Sequence, residues 1–343
     1  MTKQLRVLVA GIGGASLGTE IAKCLFLAQG RYAVFGCDVA PLAYGHFQEG
    51  FERTFVVDRS HYVESVLRAC REVRIDCIVP GGEEPLLLLS AAAADLEAEG
   101  IHLAANAPSV IAQMANKRIA FDTLASLGFT IPRTLVLDDT DGLRDMTYPC
   151  VVKPATDSGG STFVFLAENH RDAVLFVSYL ASKGRQALVQ EYIPETEGEF
   201  TIGVLSLPDG KILGSIALRR LLTAKLSVLV RSSVGLISTG YSQGLIDAFP
   251  EPCTMAERMA AAIGSRGPIN VQGRVWKGTL IPFEINPRFS ASTYLRALAG
   301  FNEVDLYLRQ VLLGERVRPG PIRPGHYLRS LCETYVPLDR VKP

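Results

Sequence analysis

A chain of 343 residues in which 48% are hydrophobic is too long for one ordinary core and apolar enough to fill two or three compact units. Its 35 basic and 35 acidic side chains balance, so charge gives no reason to expect a nucleic-acid or anionic-membrane partner, and phosphate chemistry would have to come from local clusters. The seven cysteines are odd in number and form no C-x-x-C pair, which argues against a disulfide frame or a zinc site and for small buried thiols in a reducing compartment.

Met1 to Arg6 runs into a strand without an apolar leader, and no stretch approaches the ~20 apolar residues of a membrane span, so a soluble cytoplasmic protein is expected. Residues 5–10 have the continuous apolar character of a buried parallel strand, and the turn Gly11 to Gly18 leads into a helix through about Ala28. A second strand, Tyr32 to Cys37, ends at Asp38; a helix over 61–73 and a strand Cys77 to Pro80 follow. Such alternation predicts a right-handed doubly wound α/β sheet. The glycine turn with Asp38 invites a dinucleotide reading, but a weak one: after Gly11 and Gly13 the third glycine of that fingerprint is replaced by Ser16. Pro80-Gly81-Gly82-Glu83-Glu84-Pro85 lies at a strand's carboxyl end, where its carboxylates either shape a substrate pocket or offset the dipole of the next helix. Ser90 to Glu99 is helical by its alanine content.

A helix over 108–127 carries Asn116-Lys117-Arg118, and the texture change at Asn106 marks a first domain boundary. Tyr148 to Pro154 is a short strand tipped by Lys153, followed by a glycine- and hydroxyl-rich loop through Ser161, a strand Thr162 to Leu166 and a helix over 170–182. Such a loop suits closure over phosphates, and it is equally the composition of an ordinary turn. No G-x-x-x-x-G-K-[ST] string occurs, and His170-Arg171-Asp172 imitates a kinase catalytic loop without its asparagine, so it is taken as a helix start. Leu188 to Pro194 is an apolar strand interrupted by Glu191, whose end can offer backbone groups to a heterocycle edge, while Glu199 stands where a carboxylate can hold ribose hydroxyls. Arg219, Arg220 and Lys225 precede an irregular stretch over 227–244, either an anion-binding loop or a solvated edge.

The most specific stretch is Pro282-Phe283-Glu284-Ile285-Asn286-Pro287-Arg288. Same-face side chains of a strand sit roughly 6.6 Å apart, so Glu284 and Asn286 can converge on a hard cation such as Mg²⁺, with Arg288 beside the anion it carries. A hairpin with strand Ile269 to Val275, closed by a three-residue loop at Trp276-Lys277-Gly278, would pair Val275 with Thr279 and place Asn270 opposite Glu284. Gln272 would then be diagonal to Glu284 on the same face, whereas a two-residue turn would rotate it away.

This constellation resembles the ATP-grasp superfamily, and within it single-module proteins similar to one ATP-binding half of the carbamoyl-phosphate synthase large subunit and to carboxylate–amine ligases. The resemblance rests on the E-x-N-P-R string at Glu284 to Arg288 and spans nearly the whole chain. It implies a mixed α/β and α+β fold: a Rossmann-like pre-ATP-grasp domain (1–106), a small lobe with linker helix and phosphate lid (107–190) and a large lobe with the metal site (191–343). By the same resemblance Gln272, Glu284 and Asn286 are the metal ligands, and Arg288, Lys153 and Asn286 the catalytic residues. Lys117 and Lys153 would face the phosphates, with Ser158, Gly159, Gly160 and Ser161 as the lid. Glu191, Tyr192 and Ile193 would contact adenine, and Glu199 the ribose. The implied cofactors are ATP and Mg²⁺, with Mn²⁺ as an alternative, and the partners a small carboxylate, an amine and a second copy of the chain. The implied reaction joins an acid to an amine through an acyl phosphate; phosphorylation of bicarbonate or carbamate, and nucleotide binding without turnover, are the alternatives. The chain departs from carbamoyl-phosphate synthesis in having one module and no visible glutaminase setting.

Overall fold

The computed structural model describes residues 4–14, 17–156 and 163–340. The first unit is a parallel sheet of β1 (Leu5–Ala10), β2 (Tyr32–Asp38), β3 (Arg53–Val56), β4 (Cys77–Pro80) and β5 (His102–Leu103) in the order β3-β2-β1-β4-β5. Val7 to Ala10 are fully buried, as a strand covered on both faces requires. Helices α1 (Leu17–Leu27), α2 (Tyr62–Val73), α3 (Glu83–Ala91) and α4 (Ala93–Ala98) connect the strands. The expected single helix at 90–99 is instead the end of α3 and all of α4, divided at Ala92. Gly18 of α1 makes a close backbone approach: a Cβ there, or at Gly81 after β4, would run into the Gly11 carbonyl. Backbone contact among Gly11, Gly18 and Gly81 therefore fixes the loop that carries Glu83.

The expected helix over 108–127 is also two: α5 (Pro108–Ala115) and α6 (Lys117–Ser126). Asn116 between them is extended, and its side-chain oxygen accepts the Ile119 N–H at 3.2 Å as an N-cap. The cap places Lys117 at the first position of α6. An antiparallel four-stranded sheet follows, made of β6 (Thr134–Leu137), β7 (Cys150–Pro154), β8 (Phe165–Ala167) and β9 (Ala187–Glu191) in the order β6-β9-β7-β8, with α7 (His170–Ser182) packed on it. His170 does start a helix, capped by Asn169.

The remainder is built on a six-stranded antiparallel sheet: β10 (Glu199–Ser206), β11 (Ile212–Arg220), then β12 (Val228–Arg231) and β13 (Leu236–Ser238) as a separate hairpin, and β14 (Gly244–Ile246). The stretch over 227–244 is thus partly ordered in strands. After α8 (Pro250–Ala262) come β15 (Pro268–Trp276), β16 (Thr279–Asn286), α9 (Thr293–Leu298), α10 (Glu303–Val311) and β17 (Gly325–Tyr327), giving the order β16-β15-β10-β11-β14-β17. One face of this sheet shares a core with the parallel sheet, where Leu205, Ile216 and Leu218 meet Ile21, Leu25 and Tyr307; the other packs Val110, Met114 and Leu124 together with α8. The first and last units are therefore joined by a common core. Five cysteines are buried as expected, but Cys253 is half-buried and Cys332 is exposed. Among the described residues no helix is long and apolar enough to cross a membrane.

Candidate active site

The turn between β15 and β16 has two residues, Lys277 and Gly278, both with positive φ (51° and 72°), and it pairs Trp276 with Thr279. The expected three-residue loop is therefore replaced, and this shift alone would turn Gln272 away from Glu284. A β-bulge restores the face: Gly273 pairs with Pro282 and Gln272 with Glu284, leaving Phe283 as the extra residue. Asn270 consequently lies opposite Asn286 rather than Glu284, and Gln272 Nε2 donates to Glu284 Oε2 at 3.0 Å. The signal in the sequence was Pro282, because a proline within a strand belongs at an edge or a bulge.

The bulge also releases the Phe283 carbonyl, which accepts a hydrogen bond from Lys153 Nζ of β7 at 3.0 Å. Lys153 Nζ donates to Gln190 Oε1 at 3.0 Å as well, so both of these partners are neutral. The lysine is only 6% exposed. Burial pulls its pKa from the ordinary 10.5 to about 7, with Glu284 opposing and Lys117 reinforcing the shift. An anionic phosphate in the cavity would reverse that effect. Because ligand binding would then protonate Lys153, nucleotide affinity is expected to fall as pH rises above about 7. The sign for stability is opposite: the unfolded chain keeps this proton up to about 10.5, so between 7 and 10.5 the ligand-free protein gains stability from this group as pH rises. Calorimetry of Mg-ADP binding at pH 8 in two buffers of different ionisation enthalpy should show uptake approaching one proton, lost in Lys153→Met. Equal heats in both buffers would contradict this.

Arg288 is partly buried, donating to the Phe289 carbonyl at 3.0 Å and to Asn286 Oδ1 at 3.3 Å. Burial lowers its pKa, while Glu284 and Glu83 oppose the shift. Asn286 therefore has its expected metal-binding oxygen turned to Arg288, and its buried Nδ2 has no partner among the described residues. Gln272, Glu284, Lys117, Lys153 and Arg288 all line one cavity of about 550 Å³, whereas Asn286 lies in a small adjoining pocket that Glu284 and Arg288 also line. A cavity of this size is within the roughly 300–1,000 Å³ of small-molecule sites.

Glu191, Tyr192, Ile193 and Glu199 line the same cavity. Glu191 is anchored by the Arg133 N–H at 3.0 Å, and the Tyr192 hydroxyl by the Leu236 N–H at 2.8 Å. Arg274, which the sequence reading passed over, takes the Ile193 carbonyl at 2.6 Å and Glu199 at 2.9 Å, with its guanidinium 4.7 Å from the centre of the Tyr192 ring. Burial would raise the Glu199 pKa, but Arg220, at 3.4 Å, and Arg274 override it and hold the carboxyl below its usual range. Arg220 is thus a buried partner of Glu199, while Arg219 stays exposed. Arg274 was legible from period two alone, since it follows Asn270 and Gln272 on one strand face. The expected lid residues Ser158, Gly159, Gly160 and Ser161 lie outside the described residues.

The donor set fits a Mg²⁺ bound largely through a nucleotide. Among the described residues no three His, Cys, Asp or Glu side chains gather as a metal site, but Mg²⁺ characteristically takes one or two carboxylates plus phosphate oxygens and water. Glu284 and the carboxamide of Gln272 supply such a set. A dinucleotide fits poorly at the glycine turn: the Asp38 carboxylate accepts the Ile12 and Ala40 N–H groups, at 2.9 and 3.0 Å, and Tyr44 packs against Gly14.

No family model matches the chain. It is 25% identical over 352 aligned positions to the carbamoyl phosphate synthase large chain of Thermomicrobium roseum, covering 95% of this chain and 31% of that protein, so it spans under a third of the relative's length. The L-amino acid ligase of Bacillus licheniformis superposes with a TM-score of 0.65 at 17% identity, over 91% of this chain and 75% of that one. The biotin carboxylase domain of the Hydrogenobacter thermophilus 2-oxoglutarate carboxylase, solved with magnesium ADP and bicarbonate, superposes with a TM-score of 0.62 at 18% identity, over 94% and 73%. The fold is the ATP-grasp fold. In sequence the chain is related to carbamoyl-phosphate synthase large chains.

Proposed function

We propose that this protein is an ATP-dependent ligase that activates a carboxylate as an acyl phosphate and transfers the acyl group to an amine. The observation that carries the reading is Lys153: a buried lysine whose hydrogen bonds go to two neutral acceptors, in the same cavity as the Glu284–Gln272 pair, has donor capacity left for a phosphate oxygen. In this reading residues 1–106 form the pre-ATP-grasp unit, 107–190 the small lobe and 191–343 the large lobe, and the chain works as a homodimer.

The substrate carboxylate attacks the γ-phosphorus of ATP, the bond to the ADP oxygen breaks, and the amine nitrogen then attacks the acyl carbon, expelling phosphate and releasing protons. Lys117 and Lys153 hold the phosphates, and Arg288 holds the transferred phosphoryl group in the acyl phosphate. Mg²⁺, or Mn²⁺ in its place, would be held by Glu284 and Gln272, with Asn286 as the further expected ligand, and would supply charge neutralisation to the phosphates. Tyr192 and Ile193 flank the adenine together with the Glu191 backbone, and Glu199 offers the ribose the carboxylate that Arg274 and Arg220 keep ionised.

Carbamoyl-phosphate-synthase-like phosphorylation of bicarbonate or carbamate is the second reading, favoured by the sequence relative. ADP and phosphate release with ATP and Mg²⁺, across a panel of carboxylic acids, amino acids and amines, separates the two. Turnover needing both an acid and an amine is the expected result. Turnover with bicarbonate giving carbamoyl phosphate selects the second reading, and no turnover with any pair leaves a nucleotide-binding protein without catalysis.

A further inference from the structure

The carboxylates at the start of α3 point to different destinies. Glu84 is exposed and salt-bridged to Arg59 at 2.7 Å. Glu83 lines both the large cavity and the pocket beside it, as do Lys117, Glu284 and Arg288. Among the described residues four carboxylates line the large cavity: Glu83, Glu191, Glu199 and Glu284. Glu191 is tied to the Arg133 backbone, Glu199 to Arg274 and Arg220, and Glu284 to Gln272 and, in the reading above, to the metal. No hydrogen bond among the described residues anchors the Glu83 carboxylate; its influence is felt at Arg288, whose charge it favours.

In the ligase reading Lys117, Lys153 and Arg288 are committed to phosphate oxygens, so a carboxylate must pair with an incoming ammonium group. Glu83 is the carboxylate left to do so, and it stands on a loop whose position is set by the backbone packing of Gly11, Gly18 and Gly81. Gly81, Gly82 and Ala291 line the cavity with little side-chain bulk, leaving room for the substrate group itself. We propose that Glu83 docks the ammonium group of the acyl acceptor and accepts the proton it must lose before the nitrogen lone pair attacks the acyl carbon, so that the second substrate is a primary amine of the amino-acid class. This rests on the ligase reading, in which Arg288 holds the acyl phosphate and the nucleophile must lie within roughly 3–3.5 Å of the acyl carbon.

The test uses the full chain loaded with Mg²⁺ and AMP-PNP, titrated calorimetrically with proteinogenic L-amino acids and with the corresponding α-hydroxy acids. The wild type is expected to bind one or more amino acids in preference to their hydroxy counterparts. Glu83→Gln should weaken amino-acid binding by about tenfold or more, the scale of a lost hydrogen bond to a charged group, with AMP-PNP affinity unchanged. Glu84→Gln should behave as wild type. Equal amino-acid affinity in Glu83→Gln, or a wild-type complex that prefers no amine, overturns the assignment while leaving the nucleotide site standing. Failure of the wild type to bind AMP-PNP overturns the ligase reading, and this one with it.

Discussion

Glu284→Ala is expected to leave a folded protein whose ATP turnover is at least about a hundredfold lower. Removing one preorganised charge that meets developing transition-state charge costs on the order of 3 kcal/mol. The side chain is partly exposed to the cavity and accepts from Gln272, so its loss opens no void in the apolar core. Unfolding should therefore move little while kcat falls, and the two are measured separately by thermal denaturation and by coupled ADP release. Near-normal turnover in this variant refutes the metal-ligand assignment.

Arg296→Ala is expected to be the most destabilising single change, at about 3–5 kcal/mol, because it removes one partner of a fully buried ion pair and strands the other. Arg296 Nη1 meets Glu303 at 2.9 Å, and Nη2 meets Asn270 Oδ1 at 2.7 Å and Thr201 Oγ1 at 3.1 Å. Gly203 makes room for the pair, since a Cβ there would collide with both side chains. Against a total stability of roughly 5–15 kcal/mol, that loss should be plain in the urea midpoint. The double variant Arg296→Met, Glu303→Leu should recover much of it, as apolar replacements of buried pairs often do. A midpoint unchanged in Arg296→Ala would show that the pair contributes nothing. Thr201 and Asn270 line the cavity, so the surviving fraction of Arg296→Ala is also expected to bind nucleotide more weakly.

Much of the fold was legible because its signals are local. The apolar run at residues 5–10, the helix start at His170 and the alternation of Glu284, Asn286 and Arg288 depend on neighbours a few positions away. Errors came where a local signal had two outcomes. The alanine-rich and 108–127 stretches each hold two helices, because propensity measures helix content and not where a chain turns. The two-residue turn that should have carried Gln272 to the wrong face was offset by a bulge at Phe283, and neither device alone gives the observed pairing.

By itself the sequence determined that Glu284, Asn286 and Arg288 recur at period two beside prolines, a pattern open to phosphate and metal chemistry. The tertiary structure decided what each would face. Lys153 meets Phe283 across 130 positions, Glu199 meets Arg274 across 75, and Glu83 reaches the cavity while Glu84 turns to Arg59. The physical reason is that a side chain's charge state and partners are set by burial and by groups distant in the chain, and no local pattern carries either.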